Sequence, residues 1–301
     1  MMSDIKQCFT SRFVGGVMME ADFSQLEVIG LAILSEDKQL RQDILDGKDM
    51  HCVSASWVSG ESYEHIKERV DAGDKKYIAM RQAAKQPRFE LQYGAGAPTI
   101  AKNNGWPLSK AQDYIKRYYE RYPEVKGWQD MVSAVVEGTA KLTNETTPSG
   151  DIIKRGYFKS ITGRRYVFKQ FESKGTRFDP KTKKRVPREP SFSPTQLKNY
   201  PVQGFATGDI VPEVLGRLRR VLTENNLSDK VLLVNTVHDS VLFDVDVKAI
   251  REMSYSIDGI ALFIKNVMEL APQFMEERFG VKIDLPLKVD VKYGESWQET
   301  K

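Results

Sequence analysis

Cysteine is scarce. Cys8 and Cys52 are the only two in 301 residues and no CxxC pair occurs, which argues against a structural zinc site and against a disulfide framework and leaves both as packed thiols. No apolar run is long enough to span a bilayer, and the N-terminus, Met1-Met2-Ser3-Asp4-Ile5-Lys6, has no signal-peptide core. A soluble chain inside the cell, with no membrane partner, is the expectation. No internal repeat is evident, and neither charge sign dominates: 45 basic against 41 acidic residues leave a net charge of +4. Such a mild excess favours a polyanionic partner only weakly. What is there is a 41% apolar composition, enough for a substantial core in one or two domains.

Along the chain, residues 1–34 read as a strand, Val17-Met18-Met19-Glu20-Ala21, followed by a helix through Leu26, Ile29, Ile33 and Leu34 that Ser24 can cap. From about 35 to 145 the pattern is helical, with apolar spacings of three and four over Ala111–Tyr122 and Val125–Val136, broken at Pro123 and at Gly105-Trp106-Pro107. Residues 173–193 lack periodicity and read as an extended surface loop carrying the basic run Lys181-x-Lys183-Lys184-Arg185. From Pro194 onward the sequence predicts a helix, a hairpin centred on Asp239, another helix near 248–279 and a last strand at Leu287–Val291. The fold class is α+β, a sheet interrupted by a helical insert.

Two acids stand at strand ends. Asp22 follows the first strand, and Asp239 lies between Val231-Leu232-Leu233-Val234 and Val241-Leu242-Phe243. Singly, Asp22 reads as a helix cap and Asp239 as a turn residue. Between them runs Arg81-x3-Lys85-x3-Phe89-x3-Tyr93-Gly94. On a helix each step of four advances about 40° past a full turn, so two cations and two rings form one drifting stripe. Cations suit a triphosphate and rings suit a sugar and base. Two carboxylates can hold divalent cations of the kind that stabilise nucleotidyl transfer. The alternative is an amphipathic helix with buried rings and rim cations.

These segments together resemble the catalytic portion of family A DNA polymerases, the DNA polymerase I-like enzymes of bacteria and phages. Asp22-Phe23-Ser24-Gln25-Leu26-Glu27 is similar to that family's motif A, Arg81–Gly94 to motif B and Val237-His238-Asp239 to motif C. Further matches are Gly47-Lys48-Asp49-Met50-His51, Glu120-Arg121-Tyr122-Pro123, Thr162-Gly163-Arg164-Arg165, Asn199-Tyr200-Pro201-Val202-Gln203-Gly204 and Gly294-Glu295-Ser296-Trp297. They cover nearly the whole chain in the expected order, and as a set they are highly specific.

The resemblance implies a partial right-hand polymerase fold: palm at 1–34 and 194–301, helical fingers at 35–193, thumb and exonuclease absent. It implies that Asp22 and Asp239, with the Phe23 carbonyl, hold two Mg2+ ions, Mn2+ being the alternative, while a primer 3′-hydroxyl attacks the α-phosphate of a dNTP. Arg81, Lys85 and His51 would hold the phosphates, and Lys85 would donate a proton to pyrophosphate. Gln25 would lie at the nucleotide site beside Glu27, which would press on the sugar and exclude a 2′-hydroxyl. The spacing Ser24-x-x-Glu27 is also a capping box, and both roles can coexist. Phe89 and Tyr93 would lie by the incoming and templating bases. Asn199, Gln203, His238 and Arg164 would touch primer-template DNA.

Three departures stand out. Ser240 occupies the position after the motif C aspartate where most family members carry glutamate, so a third carboxylate is missing there; His-Asp-Ser is typical of the related single-subunit RNA polymerases, from which the acidic Glu27 gate argues this chain apart. Pro87 falls inside the motif B helix, which predicts a kink or a helix start. The chain begins just before motif A, so a separate chain supplying the thumb and the rest of the palm, with or without an exonuclease, is the expected partner in a split polymerase, working in the cytoplasm of a phage-infected bacterial cell. A silent subunit that only grips primer-template is the other alternative.

Overall fold

The computed structural model of the chain describes residues 4–173, 175–179 and 183–300. After a short 3-10 turn at Asp4–Cys8 come strand β1 (Val17–Phe23) and helix α1 (Leu26–Ser35). Eight helices follow: α2 (Lys38–Leu45), α3 (Met50–Ser59), α4 (Tyr63–Asp71), α5 (Lys75–Ala83), α6 (Lys85–Gln92), α7 (Ala97–Asn104), α8 (Leu108–Arg121) and α9 (Pro123–Gly138). Asp37, Asp49, Ser62 and Asp74 cap α2 to α5 through side-chain oxygens that accept first-turn N–H groups. Strands β2 (Lys141–Thr146), β3 (Ile152–Lys159), β4 (Arg165–Phe171), β5 (Thr176–Asp179), β6 (Lys184–Pro187) and β7 (Ser191–Phe192) precede α10 (Pro194–Phe205), a π turn at Ala206–Ile210 and α11 (Val211–Glu224). The chain ends with β8 (Val231–Val237), β9 (Ser240–Val245), α12 (Val247–Glu252), α13 (Ile257–Glu269), α14 (Ala271–Phe279), β10 (Val289–Gly294) and a 3-10 turn at Trp297–Thr300.

Two compact units divide the chain, residues 1–30 with 203–301, and residues 31–202. The first is built on an antiparallel sheet of order β10-β1-β9-β8. Alternation along β1 sends Met19, Ala21 and Phe23 into one buried face, while the opposite face buries Met18 with Leu242 and Trp297. Helix α13 packs on β1 and β10, and α11 on α13 and α14. In the second unit Cys52, Ala55, Ile66, Tyr77 and Ala84 form a core between α3, α4 and α5. There Asp43 is fully buried, and Arg121, Lys48 and the Tyr122 hydroxyl all donate to its carboxylate; burial pushes this acid up, but its three donors outweigh that and hold it below the usual carboxylate range. A second sheet, β2-β3-β4-β7, lies in the same unit.

The α+β class, a sheet interrupted by a helical insert, holds, and several local expectations change. The segment expected as a loop at 173–193 pairs β5 with β6 in register from Thr176↔Pro187 to Asp179↔Lys184, and β7 joins β4. Paired backbone N–H and C=O groups make a ladder whatever the side chains, so a strand can form where the sequence shows no alternation. Lys174 and Lys181 lie outside the described residues. The helix expected near 248–279 is three: Ser256 opens α13 by accepting from Gly259 N, and a proline in the first turn starts α14. Ser24 caps nothing. Its hydroxyl donates to Asp290 Oδ2 at 2.9 Å, and its main-chain N–H, which a capping box would give to Glu27, donates to Lys288 O at 2.8 Å, so the expected capping box is not formed.

Candidate active site

Asp22 is exposed near the end of β1, paired across the sheet with Asp290 on β10 and with Ser240 on β9. The adjacent turn is His238-Asp239, with His238 in the left-handed region at φ 57°. Such a two-residue turn follows the twist of the strands it joins. Phe23 N donates to Asp239 O at 3.4 Å, clipping the turn to the end of β1. Sheet register therefore brings Asp22 and Asp239, 217 positions apart in the chain (239 − 22), to one end of one sheet. Asp22 also lines a cavity of about 270 Å3 with Glu20, Asp290, Lys292 and Thr300.

Phe23 has no ligating atom in its side chain, so its main-chain carbonyl is the one group it could offer a cation. Among the described residues no group of three or more His, Cys, Asp or Glu is arranged to cage a metal. Two carboxylates and a carbonyl nonetheless fit Mg2+, which takes hard oxygen ligands, keeps several waters and is commonly held by one or two carboxylates plus substrate phosphates. Gln25 is exposed at φ 59° in the joint between β1 and α1, and Glu27 is half-buried in the first turn of α1.

Motif B is not one helix. Arg81 lies in the last turn of α5, Lys85 opens α6, and Tyr93 follows the last residue of α6, so the expected continuous stripe is broken at Ala84. The cause is Pro87 at the third position of α6, where its missing N–H is one of the first-turn donors that have no intrahelical partner. Arg81 Nε donates to Asp49 Oδ2 at 2.6 Å. Lys85 and Arg88 nevertheless bear on His51: burial first, then the positive charge of Arg88, Lys85 and Arg81, lowers its pKa to about 4 despite the opposing Asp49. The His51 ring is 5.6 Å from the Phe89 ring, which lies 6.3 Å from Tyr93 at an interplanar angle of 17°. His51 Nδ1 is buried with no hydrogen-bond partner. Lys85, His51, Phe89 and Tyr93 thus gather in the second unit. Gly94, at φ 84°, ends the segment where a Cβ would meet Thr195 Cα at 3.0 Å.

Asn199 and Gln203 are four residues apart on α10 and half-buried. His238 is exposed at the β8–β9 turn, and Arg164 is exposed in the turn before β4, where Ser160 N donates to Arg164 O at 2.8 Å. Sequence reasoning missed three acids. Glu20 looked like part of an apolar strand, although its spacing of two from Asp22 already put both on one face. Asp290 had no local signal, since its partners are remote in sequence, and Asp49, although it stands as a helix cap inside one of the family matches, gave no sign of its remote partner Arg81.

The family model for DNA polymerase family A matches residues 1–299. The chain is similar to DNA polymerase I of Rhizobium leguminosarum, at 26% identity over 95% of this chain and 23% of the relative. It is 30% identical to the thermostable DNA polymerase I of Thermus thermophilus over 95% of this chain and 28% of the relative. It therefore spans roughly a quarter of the length of these relatives. Among solved structures, the POL domain of Pol1 from M. smegmatis, in complex with DNA primer-template and dNTP, covers 98% of this chain and 42% of its own with a TM-score of 0.66 at 20% identity. That likeness gives the fold. With nearly every residue inside the family match, the chain belongs to DNA polymerase family A.

Proposed function

We propose that this chain is the palm-and-fingers part of a template-directed DNA polymerase, transferring a nucleotidyl group from dNTP to a primer 3′-hydroxyl with loss of pyrophosphate. The observation that carries this reading is the clip between Phe23 N and Asp239 O beside the Asp22↔Ser240 pair, which supports two carboxylates acting at one spot. Asp22, Asp239 and the Phe23 carbonyl would hold Mg2+, or Mn2+ in its stead. When bound, such ions supply charge stabilisation at the attacking and leaving oxygens. Residues 1–34 and 194–301 would be palm and 35–193 fingers.

Lys85 and His51 would receive the triphosphate, Lys85 giving its proton to the leaving pyrophosphate. Arg81 would join them only on leaving Asp49. Phe89 and Tyr93 offer ring faces to sugar and bases, and Gln25 and Glu27 flank the sugar, where Glu27 would exclude a 2′-hydroxyl. Asn199, Gln203, His238 and Arg164 would contact primer-template. A separate chain would supply the thumb, the rest of the palm and, in some assemblies, an exonuclease, in a bacterial or phage-infected cytoplasm. The outer edge of β8 is consistent with such a partner, since it has no neighbouring strand among the described residues and exposes Val234 and Val237.

The test is primer extension by the chain with its partner, wild type against Asp22→Ala and Asp239→Ala. Both variants should lose synthesis and keep primer-template binding. Near-wild-type extension by either would sink the assignment.

A further inference from the structure

Glu20 is 6% exposed in β1, a central strand of its sheet. Its Oε1 accepts from Ser240 Oγ at 3.0 Å and its Oε2 from Thr300 Oγ1 at 2.8 Å. The Ser240 hydroxyl also lies 3.1 Å from Val237 O, across the turn that carries Asp239. One side chain thus joins three pieces of chain: the strand that carries Asp22, the residue that follows Asp239, and the C-terminal 3-10 turn. The bond to Ser240 is diagonal, because Ser240 is in register with Asp22 and Glu20 with Leu242.

A carboxylate is an expensive way to fill this position. Burying one against two neutral hydroxyls costs stability, and the neighbouring Met19 and Ala21 are buried with no polar group at all. The turn it braces holds His238 in the left-handed region, which a non-glycine residue adopts only at a cost. Asp239 follows directly, so any slip of Ser240 along β9 moves Asp239 relative to Asp22. Glu20 reaches the same cavity as Asp22, with Thr300 on its wall.

We propose that Glu20, acting through Ser240 and fixed by Thr300, is the positioning residue that sets Asp239 beside Asp22. This rests on the reading of those two aspartates as the cation-holding pair. The serine after Asp239 is then a working part of this chain's site, since a hydroxyl there can donate to a carboxylate on the neighbouring strand.

Mn2+ titration followed by electron paramagnetic resonance, with thermal melts alongside, tests the proposal on the full chain. Groups that orient a metal ligand typically contribute tenfold or more to metal affinity, so Glu20→Ala and Ser240→Ala should each weaken Mn2+ binding about tenfold or more. Glu20→Gln, whose amide can accept from one hydroxyl and donate to the other, should remain within about twofold of wild type. Wild-type affinity in a folded Glu20→Ala or Ser240→Ala chain overturns the proposal. Equal losses in Glu20→Gln and Glu20→Ala also overturn it, because the charge and not the hydrogen bonds would then matter. If Glu20→Ala does not fold, Ser240→Ala decides, since it removes only the link. Asp22→Asn separates the two readings: loss of Mn2+ there with intact binding in the Glu20 variants sinks the positioning role alone, whereas no effect of Asp22→Asn sinks the cation-pair reading.

Discussion

Arg81 and Asp49 form an ion pair across 32 residues of sequence, Nε to Oδ2 at 2.6 Å. The other Asp49 oxygen accepts from His51 N and Cys52 N and so caps α3. The cation expected to meet a triphosphate is therefore tied to the acid that orients the next phosphate candidate, His51. Releasing it should help binding and hurt folding. Asp49→Ala should cost about 1 kcal/mol or more through the lost cap alone, seen in denaturant unfolding, while dNTP affinity stays equal or rises. A clear fall in dNTP affinity in the folded variant would show that Asp49 serves the nucleotide directly.

The same pair has a pH signature. Burial pushes the Asp49 carboxyl up, but Arg81 and the two N–H donors outweigh it and hold it below the usual aspartate range. A depressed carboxyl contributes stability that is present above its unfolded value and lost as pH falls through its folded value. The melting-temperature gap between wild type and Asp49→Asn should be constant above about pH 4 and narrow below it. A gap that does not change on acidification would remove the ionic part of the contact.

His51 works in a higher window. Its folded pKa of about 4 lies below the ordinary 6.5, so between these values the unfolded chain takes up a proton that the folded chain refuses. Stability from this group is full above pH 6.5 and declines as pH falls toward 4. His51→Gln should flatten that part of the urea-unfolding profile. An unchanged profile would mean that the imidazole is protonated in the folded chain.

With the Ser24 N–H given to Lys288 O and its hydroxyl to Asp290, Glu27 has no capping box to serve. Glu27→Ala should leave the melting temperature nearly unchanged and lower discrimination against ribonucleotides about tenfold or more in competitive incorporation by the assembled enzyme. Lost stability with unaltered sugar choice would reverse the assignment.

Gly94 and Gly105 make a matched pair for the turn after motif B. Both have positive φ, but a Cβ on Gly94 would meet Thr195, Lys198 and Pro194 within 3.2 Å, whereas nothing lies within 4 Å of one on Gly105. Gly105→Ala should cost about 1–2 kcal/mol for the left-handed backbone, and Gly94→Ala more, by roughly 1–3 kcal/mol of overpacking. Equal melting temperatures would mean that the contact at Gly94 relaxes freely.

What could be read from sequence was whatever short-range rules control. An apolar run marked β1, apolar spacing marked α8 and α9, and two apolar runs around His238-Asp239 marked the β8–β9 hairpin. Pro87 announced a helix start by its missing donor, and α6 begins two residues before it. The ordered motifs carried the family, because residue type and spacing survive without coordinates. Tertiary structure decided which polar group each functional side chain meets. Ser24 could have capped α1 but met Asp290, 266 residues away, and Ser240, which seemed only to lack a carboxylate, found one on Glu20, 220 residues away. Local propensities for such groups differ by about 1 kcal/mol. A register set by the buried faces of a whole sheet outweighs them, since a slip by one residue would take Met19, Ala21 and Phe23 out of the face they fill and put Met18 in their place.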